Sequence, residues 1–265
     1  MRTFHYKMMV AGQPSFRVMK STLPQLEYQP GMQRGFLMSA ESNQNRLKGK
    51  YIYTKIGKLV KIDPDSLEPV EEAIETLAMA HFEINQQKGL VSVEQRRGEL
   101  NALFEALDAI PDANVSFEEL NLNLLDLIFE VQGAYKKNSI KTVRIRDYLA
   151  REDMLTNATF KILAPQDGER IMEKFSDQLE AVTLTLKLPD GACSLTITRK
   201  GTVKASDDIP DELLLYVKDL LPRFHEAEVE TAEVVDPVAA PRKRVTPPAP
   251  MAAQTGEQKV LAGVR

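Results

Sequence analysis

Apolar and polar residues alternate over 2–10, with Phe4, Tyr6, Met8 and Val10 on one side and Thr3, His5, Lys7 and Met9 on the other. That period of two predicts a half-buried strand. A proline-spaced stretch follows, with Pro14, Pro24 and Pro30, and its pattern assigns no element. Residues 49–62 read as a Tyr- and Ile-rich hairpin bent near Gly57-Lys58, and Pro69 opens a short helix in the acidic run 63–77. Residues 80–94 read as a second hairpin, with Ala80, Phe82 and Ile84 on one side, a turn at Gln87-Lys88-Gly89, and Leu90–Val93 as the return.

Leu100, Leu103, Phe104, Leu107 and Ile110 recur at helical spacing up to Pro111. Ser116 and Glu119 have capping-box spacing and predict a helix over 115–131. Leu120, Leu124, Leu127, Ile128 and Val131 form one stripe on it, and Leu122, Leu125 and Phe129 a second. A helix apolar on two sides is either buried or shared with another chain. Strands are expected at 140–146 and 158–163, then a helix over 167–179 presenting Ile171, Phe175 and Leu179. In 182–198, Asp190-Gly191 separates two alternating arms, which is a strong hairpin signal. Leu184, Leu186 and Leu188 face the core there, and Thr183, Thr185 and Lys187 face out. A last helix spans about 210–221 and stops at Pro222.

These elements give an α+β fold, with antiparallel hairpins packed against a few helices. The division expected is a basic sheet-and-helix domain over 1–134 and a second sheet-and-helix domain over 135–225, or else one extended sheet. From 226 to 265 the chain turns acidic, then proline-rich with few large apolar groups, so a disordered tail is expected.

Composition narrows the function. The 265 residues carry a net charge of −4, which argues against a general polyanion binder. The average hides a segregation: residues 1–62 hold eleven Lys/Arg against two acids, so the other 203 residues sum to −13. The single cysteine, Cys193, cannot close an internal disulfide, which fits a reducing cytoplasm. No secretory signal and no membrane-length apolar run is visible.

Chemistry is thinly represented. His5, His81 and His225 give no metal-ligand spacing, and no glycine-rich phosphate loop occurs, so neither a catalytic or metal site nor a cofactor is expected. His81, Glu83, Ser92 and Glu94 share one face of the second hairpin and could pass for an acid–base set, although a solvated sheet face explains them equally well. Basic runs remain. Arg46, Lys48, Lys50, Lys55, Lys58 and Lys61 stand on or beside the first hairpin, with Tyr51, Tyr53 and Lys55 on one face. Lys136, Lys137, Lys141, Arg144 and Arg146 form a second run without an intervening acid. Cations beside rings that stack on bases suit a DNA- or RNA-binding groove. Lysines guarding an edge strand explain the same residues. The leading expectation is a non-catalytic nucleic-acid-associated protein using the basic N-terminal hairpin. The alternative is a protein-interaction or oligomeric subunit, binding a partner or itself through the Leu122, Leu125 and Phe129 stripe. A metal-dependent nuclease ranks third.

Overall fold

The computed structural model describes residues 1–10, 13–64, 67–94, 97–151, 154–189 and 191–226. Of the expected tail, residues 227–265 lie outside these residues, as does Asp190 of the expected turn. The α+β class holds, and the strands form one sheet of eleven. In chain order they are β1 (Arg2–Val10), β2 (Arg34–Met38), β3 (Arg46–Ile62), β4 (Pro69–Asn85), β5 (Leu90–Glu94), β6 (Ser116–Glu119), β7 (Asn138–Arg151), β8 (Met154–Lys161), β9 (Leu179–Leu188), β10 (Gly191–Thr198) and β11 (Thr202–Ala205). The helices are α1 (Gln13–Thr22), α2 (Arg97–Asp108), α3 (Leu124–Ala134), α4 (Pro165–Lys174) and α5 (Asp211–Leu220).

Across the sheet the order is β2-β3-β4-β5-β1-β11-β10-β9-β7-β8, and β6 also pairs with β1. One edge of β1 is shared end to end: Arg2–His5 take β11, and Lys7–Val10 take β6. A boundary at 134/135 falls between α3 and β7, and the sheet runs through both halves.

Two cores lie on opposite faces. Helices α1 and α2 cover one face of the first half, where Phe16, Met19, Leu103 and Leu107 pack on Phe82, Ile84, Val91 and Val93. Helices α3, α4 and α5 cover the other face of the second half, where Leu127, Ile128, Met172 and Val217 pack on Val182, Leu184, Leu195 and Ile197. Strand β1 serves both, because its alternation sends Tyr6 into the second core and Met9 into the first.

Four local expectations are corrected. Residues 46–62 are one strand paired along its whole length with β4, so Gly57 stands opposite Ile74 rather than in a turn. The reversal comes later, where Asp63 N–H donates to the Glu68 carbonyl at 2.9 Å and Leu67 takes a positive φ. Pro69 therefore begins a strand, not a helix: the glutamates after it face a cationic strand, and cross-strand attraction outweighs the first-turn preference of proline. Ser116 and Glu119 are no capping box but the ends of β6, which fills the open edge of β1. Helix α3 starts only at Leu124, capped by Asn123, whose Oδ1 accepts from Asp126 N–H at 3.2 Å. The proline-spaced stretch contains α1; Pro14 sits in its first turn, where a missing N–H costs nothing, and Phe16, Met19 and Leu23 are buried at helical spacing. Leu179, expected at the end of a helix, begins β9.

Among the described residues, no helix is long and apolar enough to cross a membrane.

Candidate nucleic-acid interface

The pairing of β3 fixes where the first basic run points. Arg46, Lys48, Lys50 and Lys58 alternate onto one face, and Tyr51, Tyr53 and Lys55 onto the opposite one. Of these cations, only Lys55 shares the face of the rings. Tyr51 is only 2% exposed, with its ring 4.9 Å from Phe36 and stacked 5.5 Å from Tyr53. Burial pushes its hydroxyl pKa up.

The cations of the run meet acids. Arg46 Nη2 lies 2.5 Å from Glu83 and Lys58 Nζ 2.6 Å from Glu71; Lys48 pairs with Glu41, and Lys61 with Glu72. Among the described residues, Lys50 and Lys55 have no such ion pair. The acidic segment that follows the basic one in sequence returns beside it in space, and most of the local field cancels.

The second run sits elsewhere. Lys136 and Lys137 are exposed between α3 and β7, and Lys141, Arg144 and Arg146 are exposed along β7. Strands β3 and β7 are separated by seven steps of the sheet order, about 34 Å at ~4.8 Å per step. The two runs do not merge.

Arg144, however, belongs to a larger surface. On the second half of the sheet, Leu184, Leu195, Ile197 and Val203 turn toward α3–α5, so their strand neighbours turn the other way. That other face carries Thr142, Thr183, Thr185, Thr196 and Thr198, with Arg144, Lys161, Lys187 and Lys204 among them. The Thr183 and Thr196 hydroxyls meet at 2.9 Å across β9 and β10. Arg144 lies 3.7 Å from Glu180, whereas among the described residues no carboxylate stands within ion-pair distance of Lys161, Lys187 or Lys204. All four cations are exposed. The outward places of Thr183, Thr185 and Lys187 follow from alternation. The joining of five strands into one hydroxyl-and-cation face depends on long-range pairing, which alternation does not reveal.

The suspected acid–base set is brought together. His81, Glu83, Ser92 and Glu94 line a cleft of about 550 Å³ between the first half of the sheet and α5. Its charges pair among themselves. Glu83 accepts from both Arg46 and Lys218, each at 2.5 Å, and Arg2 bridges Glu94 and Asp211 at 2.9 and 2.8 Å. Burial alone would raise the Glu83 pKa; the bonds from Arg46 and Lys218 outweigh it and hold the carboxyl below its ordinary range. Burial lowers the Lys218 pKa, and Glu83 offsets only part of that. Both pKa values fall, which favours the charged form of Glu83 and disfavours that of Lys218, because the carboxylate has two cations while each cation has a share of one carboxylate. With Lys88 paired to Asp219, these contacts fasten α5 to the first half of the sheet.

The apolar stripe read as an interface is divided between core and surface. Leu122 is buried, and Leu125 and Phe129 pack against the second core. No protein family matches the chain, and no curated protein matches it.

Proposed function

We propose that this chain is a non-catalytic, cytoplasmic nucleic-acid-associated protein that contacts the phosphate backbone through the face of β11, β10, β9, β7 and β8 that points away from α3–α5. The observation that carries this reading is the arrangement of Arg144, Lys161, Lys187 and Lys204 among strand threonines, with three of the four cations outside any ion pair among the described residues. Lysine and arginine neutralise phosphates, and threonine hydroxyls donate to their oxygens. Such contacts position a backbone without reading bases. No aromatic ring lies among the residues named on this face, so duplex should bind at least as well as single strands.

Fluorescence anisotropy with duplex and single-stranded DNA and RNA at two salt concentrations tests it. Affinity should fall steeply with salt, by about one power of salt concentration per phosphate contact. Lys161→Glu, Lys187→Glu and Lys204→Glu together should remove most binding and flatten the salt dependence by about three powers. Lys48→Glu with Lys58→Glu should change affinity much less, since both lysines already have carboxylate partners. Tyr51→Ala should cost stability, about 3 kcal/mol, rather than affinity. Absence of binding at low salt to any of the four ligands would sink the reading; binding that ignores the triple substitution would place it on another surface.

A further inference from the structure

Strands β3 and β4 run on beyond the rest of the sheet. β2 reaches β3 only as far as Tyr53, and β5 reaches β4 only as far as His81. Residues 54–62 and 69–77 therefore form a two-stranded ribbon with no third strand among the described residues, about 30 Å long. An isolated ribbon of this kind is at best marginally stable in water. This one also exposes large apolar side chains. Ile56, Val60, Ile62 and Leu77 share one face of it and are 60–71% exposed, and Met79 continues the stripe toward the sheet. Contiguous exposed apolar surface of this sort marks a contact site.

Charge identifies the occupant. By the register, the apolar face carries Lys58 from β3 and Glu71 and Glu75 from β4, while Lys55, Lys61 and Glu72 point to the opposite face. A ribbon with one positive and one negative strand complements itself when a second copy is turned about a two-fold axis along the ribbon. The apolar faces then stack, and Lys58 of each copy lies over the stretch of the other copy's β4 that carries Glu71 and Glu75. Edge-to-edge pairing about a two-fold axis would instead place lysine against lysine or glutamate against glutamate. We propose that the chain self-associates through this β3–β4 ribbon, apolar face to apolar face, in that two-fold arrangement. The contact of two ribbons, each about 30 by 10 Å, is smaller than the roughly 800 Å² per partner of a standard interface, so the dimer forms in the micromolar range or above.

Sedimentation velocity of the full chain from about 1 µM to about 500 µM tests this. The wild type should shift from monomer to dimer, and Ile56→Asp with Val60→Asp should remain monomeric at every concentration with an unchanged melting temperature. Two charge variants decide the geometry. One carries Lys58→Glu; the other carries Glu71→Lys and Glu75→Lys. Each alone should stay monomeric, and an equimolar mixture should recover a dimer. Hydrogen exchange of residues 54–62 should slow as wild-type concentration rises, which localises the contact independently. A wild type that stays monomeric throughout, a dimer that survives the aspartates, or a mixture that stays monomeric would each overturn the proposal.

Discussion

At the residue scale, one carboxylate links the two halves. Glu83, on β4, holds Arg46 of β3 and Lys218 of α5. Its pKa is depressed in the folded state, so the folded form binds its proton less tightly than the unfolded chain does. The stability it contributes is present above the unfolded carboxylate value and is lost as pH falls through the folded one. Urea denaturation between about pH 6 and about pH 3 should show a fall in midpoint to which this residue contributes. Glu83→Gln should lower stability near neutral pH, since it leaves Lys218 buried without a counter-charge, and should flatten the acid limb. An acid limb as steep in the variant as in the wild type would show that the fall arises from other carboxylates. The spacing of His81, Glu83, Ser92 and Glu94 made their shared face legible; the partner lysine, some 135 residues later, was not.

At the scale of elements, the sequence revealed periodicity well and partners poorly. Alternation located β1, β9 and β10, helical spacing located α2, and the bounding prolines located α5. It failed where an element's form is decided by its neighbour. Ser116–Glu119 has a helix-start signature, yet β1 offers an open edge at Lys7–Val10, and the ladder takes the segment. Gly57 resembles a turn residue, but its φ is not positive and Ile74 faces it across the ladder. Gly201 is the contrasting case. It has φ +75°, and a Cβ there would come within 2.5 Å of Leu120 Cδ1 and 3.0 Å of the Tyr6 carbonyl oxygen. Gly201→Ala should therefore cost about 2–4 kcal/mol from left-handed strain and overpacking together. Gly57→Ala should change stability by less than about 0.5 kcal/mol, since its Cβ would meet Ile74 Cγ1 at an ordinary 3.7 Å. Chemical denaturation of the two variants distinguishes a turn glycine from a ladder glycine; equal costs would contradict the pairing of β3 with β4.

At the scale of the whole molecule, the question is whether 1–134 and 135–225 behave as separate domains. The two cores lie on opposite faces of the sheet, and the one under α3–α5 also takes Leu120, Leu127, Ile128 and Val131 from 1–134. The seam between the halves is short in hydrogen bonds but shared in packing. β1 pairs with β5 on one edge and with β11 and β6 on the other, and its side chains enter both cores. Helix α5, from the second half, is tied back to the first through Lys218–Glu83, Arg2–Asp211 and Lys88–Asp219. Releasing either half would strip β1 of one ladder and expose one alternate set of its side chains, so the cost of opening the seam falls on both cores at once. The expected outcome is a single calorimetric transition whose van't Hoff and calorimetric enthalpies agree. Tyr6→Ala, which empties a site in the second core, and Met9→Ala, which empties one in the first, should each lower that one transition by about 2–4 kcal/mol without splitting it. Two resolved peaks, with each substitution moving only one of them, would instead show that the halves unfold independently and that β1 belongs energetically to one alone.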